Sequence, residues 1–250
     1  PAHITVQLAD GRRFVAELVA RDKVRKLALL KIDAVDLPTP EWVPPTEIEI
    51  GRRTLALGRG FGGSAPSVTV GIVSAVNRMM GNAIQTDAKL SPANYGGPLI
   101  GLDGRILGIC VPMAQRPGEL SGVEFYDAGI GFAMPRNRVE EIVANLKLGK
   151  SFYRGWLGIS LDPGHPDRCQ IGAVADPSPV KAAGILPGDV IAQANGRKLS
   201  NFGTLVQTIY MLPAGESVQL IIRRGDLEYG FEVVLARSVD LGPLAEIEKP

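Results

Sequence analysis

The first third of the chain alternates apolar and polar positions with a period of two. Ile4-Thr5-Val6-Gln7-Leu8 alternates, Asp10-Gly11 supplies a turn, and Phe14 to Val19 alternates back. An Asp-Gly pair between two such runs predicts a β-hairpin. Leu27 to Ile32, Thr54 to Leu57, Val68 to Val76 and Arg105 to Val111 read as further strands, with loops at Pro-rich residues 38–45 and Gly-rich residues 58–63. Short strands so spaced, almost free of helical periodicity, predict a sandwich or barrel. The pattern changes at Pro135. From Arg136 to Leu148 the apolar residues Val139, Ile142, Val143 and Leu146 recur at helical spacing, and Gly149 is a stop signal. A second set of strands follows near Leu157–Leu161, Ile171–Val174, Val190–Ala194, Val218–Arg223 and Phe231–Leu235. Two short helices interleave with them, near Pro179–Ala183 and Phe202–Leu212, which makes a compact α+β module. Lys150–Tyr153 reads as the linker, and no internal repeat relates the two halves.

Composition narrows the function classes. Thirty Gly and nineteen Pro in 250 residues suit short strands joined by turns. Twenty-seven basic against twenty-six acidic residues leave a net charge of +1, which argues against a nucleic-acid footprint. No apolar run approaches the ~20 residues that span a bilayer, and the first residues do not read as a signal peptide. Cys110 lies in the apolar run Ile106–Val111, and the expectation for it and Cys169 is two free, buried thiols. His3 and His165 are the two histidines, and neither stands in a motif, so both are expected at the surface. Nothing has metal-ligand spacing, and no cofactor is implied.

Several blocks carry a resemblance. Ser67-Val68-Thr69-Val70-Gly71-Ile72-Val73-Ser74-Ala75 and Ile84-Gln85-Thr86-Asp87-Ala88 precede Pro92-Ala93-Asn94-Tyr95-Gly96-Gly97-Pro98-Leu99. With Leu27–Ile32 before them and Gly129–Pro135 after, they resemble the HtrA family of trypsin-like serine proteases, in the family's order. The resemblance implies a mostly β fold: a trypsin-like (chymotrypsin-type) double β-barrel with its N-terminal strands missing here, then an α+β PDZ domain. The domains expected from it are residues 1–149 for the degenerate protease part, 150–153 for the linker, 154–237 for the PDZ domain and 238–250 for a tail.

The departures matter most. The family surrounds its nucleophile with Gly-Asn-Ser-Gly-Gly-Pro, and here Tyr95 takes the serine position. A phenol is bulky and planar, with a pKa near ~10, and cannot replace a serine hydroxyl at the same backbone geometry. Ala93 stands where the family has the glycine whose N–H helps form the oxyanion hole, and a Cβ there disfavours the required turn. The family's aspartate should immediately precede Leu27, and that position is Lys26, a reversal of charge beside any imidazolium. The family's histidine falls upstream of Pro1. Ser64 and Ser91 are the nearby serines, and neither has the Gly-Gly context.

In the second half, Arg154-Gly155-Trp156-Leu157-Gly158-Ile159 resembles the carboxylate-binding loop of PDZ domains that follow HtrA protease domains. Backbone N–H groups around Gly158 can point at a peptide's terminal carboxylate. Ile159-Ser160-Leu161 would offer an edge for an added strand. Leu205 and Ile209 would line the pocket, or else simply pack in the core. Trp156 has two readings, a peptide contact or interdomain packing. Arg154 lends charge to the carboxylate site or is solvated. Residues 178–191, with their Pro187-Gly188-Asp189 turn, and the Asn195-Gly196 pair support the PDZ resemblance.

The function expected is that of an inactive, HtrA-like pseudo-protease. It would bind peptides or protein C-termini through its PDZ domain and serve as an adaptor or chaperone-like subunit in envelope protein quality control. The alternative is an active endopeptidase with a non-standard or partner-completed site. The resemblance also implies an extracytoplasmic home, the bacterial periplasm or envelope, and a homotrimer.

Overall fold

The computed structural model describes residues 4–59, 65–112, 129–165, 167–209 and 212–237. His3, Ser64, most of the Gly-rich loop 58–63 and the tail 238–250 therefore lie outside the described residues. The chain divides into two compact units, Pro1–Ser151 and Phe152–Pro250. Among the described residues, no helix is long and apolar enough to cross a membrane.

The first unit opens with a three-stranded antiparallel sheet, β1 (Ile4–Gln7), β2 (Arg13–Asp22) and β3 (Leu27–Lys31), in that order. The Asp10 carboxylate closes the first hairpin by accepting the Arg12 amide at 2.9 Å. Six further strands close into a barrel: β4 (Arg53–Gly58), β5 (Ser67–Asn77), β6 (Ala83–Thr86), β7 (Pro98–Gly101), β8 (Ile106–Cys110) and β9 (Gly131–Pro135). Their order around it is β4-β5-β6-β9-β8-β7, and a one-turn helix, α1 (Arg78–Gly81), joins β5 to β6. Val43, Ala56, Val73, Leu99, Leu107, Cys110 and Ala133 fill the interior without solvent exposure. The helix α2 (Arg136–Leu146) buries Val139, Ile142 and Leu146 and ends earlier than the expected Leu148. Three strands escaped the pattern, β6, β7 and β9. Each is four or five residues long and is paired on both sides, so none shows an alternation of its own.

The second unit contains β10 (Gly155–Trp156), β11 (Ile159–Leu161), β12 (Ile171–Val174), α3 (Pro179–Ala182), β13 (Val190–Ala194), β14 (Arg197–Lys198), α4 (Phe202–Ile209), β15 (Ser217–Arg224), β16 (Leu227–Val234) and β17 (Ala236–Arg237). Four strands form one sheet in the order β14-β13-β15-β16, while β10 pairs with β17 and β11 with β12. Asn195 at φ +48 and Gly196 at φ +76 make the tight β13–β14 turn that an Asn-Gly pair predicts. The core gathers Ile171, Val180, Ile185, Ile191, Leu205, Leu220 and Ile222. The Asp189 carboxylate, 2 % exposed, takes a bidentate pair from Arg224 at 2.7 and 2.8 Å and the Leu186 amide at 2.9 Å. The Arg224 guanidinium holds the Asp189 carboxyl below its ordinary 3.8.

Candidate functional sites

The loop carrying Tyr95 runs between β6 and β7 and is locked to the barrel by its backbone. Gly96 N–H donates to the Cys110 carbonyl and Cys110 N–H to the Gly97 carbonyl, both at 2.8 Å, which fastens the loop to β8. On the other side it rests on β4. A Cβ added to Gly58 would stand 2.2 Å from the Ala93 carbonyl oxygen, so that close approach requires a glycine. Asn94 is buried, and its side-chain oxygen accepts the Ser91 amide at 3.0 Å and the Ser91 hydroxyl at 3.2 Å. Its Nδ2 is buried with no hydrogen-bond partner among the described residues.

Within this frame Tyr95 is half-buried and packs against the barrel core. The ring contributes apolar contact to that core. Ala93 does not adopt a left-handed φ, so the loop takes a form that an alanine accommodates. Lys26 sits exposed at φ +62 on the turn before β3. Four residues upstream, Asp22 is buried and organises that turn. Its Oδ1 accepts the Val24 and Arg25 amides at 2.9 Å, and its Oδ2 accepts Arg25 Nη1 at 2.8 Å. A carboxylate thus lies close by in sequence, but it is already committed to the turn.

The described part of the first unit contains no histidine, since the chain's two are His3 and His165. His165 belongs to the second unit, where its Nδ1 lies 2.8 Å from Asp162 Oδ2. Both cysteines are free and buried, as the sequence predicts. Burial pushes the Cys110 thiol up to about 12, and it also raises the Cys169 thiol. Sequence reading missed two supports of this site. Asp87 Oδ1 accepts the Ile72 amide at 2.6 Å, and Thr86 Oγ1, within 3.2 Å of Thr54 Oγ1, accepts the Ala88 amide at 3.2 Å. These hold the segment leading into the Tyr95 loop.

The second candidate site surrounds Gly158. It sits at φ +86, and an added Cβ would lie 2.2 Å from Ser178 Cβ. Both the conformation and the space demand glycine. The Leu157 carbonyl accepts from Val180 N–H and the Gly158 carbonyl from Ala175 N–H, and the amides of the same two residues take no part in these bonds. Ser178, the other wall of this contact, caps α3 by accepting the Lys181 amide at 3.2 Å. Trp156 is half-buried in β10, and Leu157 is buried. The strand β11 pairs with β12 alone among the described strands, with Ser160 exposed and Ile159 partly buried. Leu205 belongs to the core cluster, whereas Ile209 and Ile159 pack at its margin. The loop, the one-sided strand and the margin of α4 therefore belong to one small unit. Ser178 carried no motif for this role, because its contact with Gly158 joins residues twenty positions apart.

Comparison with known proteins adds to this geometry. Residues 1–109 match the trypsin-like peptidase domain family, and residues 155–235 match the PDZ domain family. The chain is 34% identical to a probable periplasmic serine endoprotease DegP-like of Marinomonas sp. (strain MWYL1), over 98% of this chain and 54% of that one. It is 32% identical to a probable periplasmic serine protease do/HhoA-like of Haemophilus influenzae, over 88% and 50%. The chain thus spans about half the length of these curated relatives. Among solved structures, the HtrA-type protease AlgW with decapeptide matches with a TM-score of 0.67 at 29% identity, over 94% of this chain and 75% of that chain. The serine endoprotease from Yersinia pestis matches with a TM-score of 0.68 at 27% identity, over 94% and 79%.

Proposed function

This chain is of the HtrA/DegP type, a trypsin-like domain followed by a PDZ domain, and from that premise we propose that it binds peptides without cleaving them. In this reading residues 1–149 are a degenerate protease domain, 150–153 a linker and 154–237 the peptide-binding domain. The observation that carries the proposal is Tyr95. A core-packed phenol occupies the turn on which acyl transfer needs a small, activatable alcohol. Lys26 and Ala93 remove the charge partner and the oxyanion glycine as well. Loss of the nucleophile alone costs about 10⁶ in turnover.

Peptide capture is assigned to Trp156, Leu157, Gly158, Ile159 and Ser160, with Leu205 and Ile209 at the helix wall. Among the described residues the Leu157 and Gly158 amides make no backbone bond, which suits a terminal carboxylate. One edge of β11 has no described partner, which suits an added strand. A structure of the similar protease AlgW with a bound decapeptide supports this half. The names of the relatives place those proteins in the periplasm, and we assign this chain to the same compartment, as an adaptor or chaperone-like subunit of a homotrimer.

A second reading follows from the same names, since the relatives are called serine endoproteases. It requires another nucleophile or a partner that completes the site. Casein degradation by the whole chain, with Tyr95→Ala as control, separates the two. Turnover at background in both supports the silent reading, and turnover that vanishes in the variant overturns it. Titration calorimetry with free C-terminal peptides tests the other half, which fails if none binds below about 1 mM.

A further inference from the structure

Along Leu227–Val234 the strand β16 has one edge with no partner among the described strands. At eight residues it is the longest edge strand among the described residues, with β15 as its one ladder partner. The hairpin between them closes on two residues, Gly225 at φ +61 and Asp226 with no positive φ, which is the type II′ pattern. Such a turn makes Arg224 and Leu227 the hydrogen-bonded closing pair. Every second residue after Leu227 then bonds to β15. Glu228, Gly230 and Glu232 turn their N–H and C=O outward.

The side chains of this edge are one-signed. Leu227–Val234 holds two glutamates and no basic residue, and Glu228 and Glu232 are both exposed. Arg223 stands across from Glu228 in the ladder, yet among the described residues neither glutamate has an ion-pair partner. Self-pairing is disfavoured in three registers. An antiparallel two-fold centred on Gly230 sets Glu228 against Glu232 twice, and one centred on either glutamate sets it against its own copy. This leaves registers centred on Tyr229 or Phe231, where a glutamate faces Gly230. Like charges directly opposite one another destabilise a ladder. A foreign strand with basic residues four apart reverses both terms. Gly230 leaves a gap between the glutamates that a large side chain on that strand fills.

We propose that the β16 edge accepts an extended protein segment of the pattern basic-x-aromatic-x-basic as an added antiparallel strand. A segment of this kind needs no free carboxyl terminus.

The test uses the whole chain and a peptide containing Lys-Val-Phe-Val-Lys, blocked at both ends so that the Gly158 loop has no carboxylate to hold. Binding is expected to be sub-millimolar and weakened by salt. The double variant Glu228→Lys, Glu232→Lys loses it by at least about tenfold and gains affinity for the Glu-Val-Phe-Val-Glu counterpart. Gly230→Pro abolishes it, since proline there removes only an outward N–H, and a Cβ at Gly230 meets nothing nearer than Ile221 Cδ1 at 3.9 Å. Failure of the blocked basic peptide to bind near about 1 mM overturns the proposal. So does equal binding by the charge-reversed variant, or displacement by a free C-terminal peptide, which would put the ligand in the other groove. Should Gly230→Pro not fold, the charge-reversal pair still decides.

Discussion

Two glycine-bearing loops invite comparison, the Ser91–Gly97 loop of the barrel and the Arg154–Ile159 loop of the second unit. Both are pinned by backbone hydrogen bonds to neighbouring strands or helices, and both touch a point where a Cβ would stand 2.2 Å from another atom. Their side chains have fared differently. Around Gly158 the residues that touch it are small or apolar, and among the described residues the Leu157 and Gly158 amides make no backbone bond. Around Tyr95 the loop is held by its backbone, and the position proposed for the nucleophile carries a ring packed against the barrel core. The lesson is that backbone frame and chemistry are separately encoded, because strand pairing holds the first and one or two side chains supply the second.

Four measurements would break or sharpen this contrast. The largest effect is expected at Asp189, whose carboxylate is buried and receives three hydrogen bonds. Asp189→Ala should cost the second unit about 2 kcal/mol, read by chemical denaturation. Gly158→Ala comes next. It should weaken a C-terminal peptide by roughly tenfold and destabilise its unit by about 1–2 kcal/mol, because both φ and space oppose the methyl. A variant that binds normally would uncouple the loop from peptide capture. Tyr95→Ala should cost the first unit about 1 kcal/mol, less than a fully buried aromatic, since the ring is only partly enclosed. Should it cost nothing, the packing role is wrong. The smallest effect is the most telling. Tyr95→Ser should leave casein turnover at background, because Lys26 and Ala93 remain.

The pH response carries a defined sign. The folded state depresses the Asp189 carboxyl below its ordinary 3.8, so the pair's contribution is fully present above that value. It is lost as pH falls through the lower folded value. Acid melting of the second unit should therefore steepen below about pH 4, and Arg224→Met should flatten that dependence.

Much of this was legible from residue order alone. Alternation placed β2 and β5, the Asp10-Gly11 turn placed the short β1 beside β2, and the Asn195-Gly196 pair placed its own turn, because period and turn chemistry are local. The short strands β6, β7 and β9 were not legible, since their pairing is dictated by neighbours distant in sequence. Asp22 stands in the charged run Arg21–Lys26 and carries no motif, yet it is buried and bonded to two amides and an arginine within the next three residues. The Arg224 partner of Asp189 stands 35 positions away, beyond any local signal. At the candidate sites the key substitutions were visible at once. The seat of Ala93 on Gly58 was not.

That seat has a consequence for how the chain can change. Replacing Gly58 would collide with the Ala93 carbonyl whether or not any bond is ever cleaved. The glycine is therefore demanded by the closed barrel itself, so this position should resist substitution even in a variant stripped of every reactive side chain.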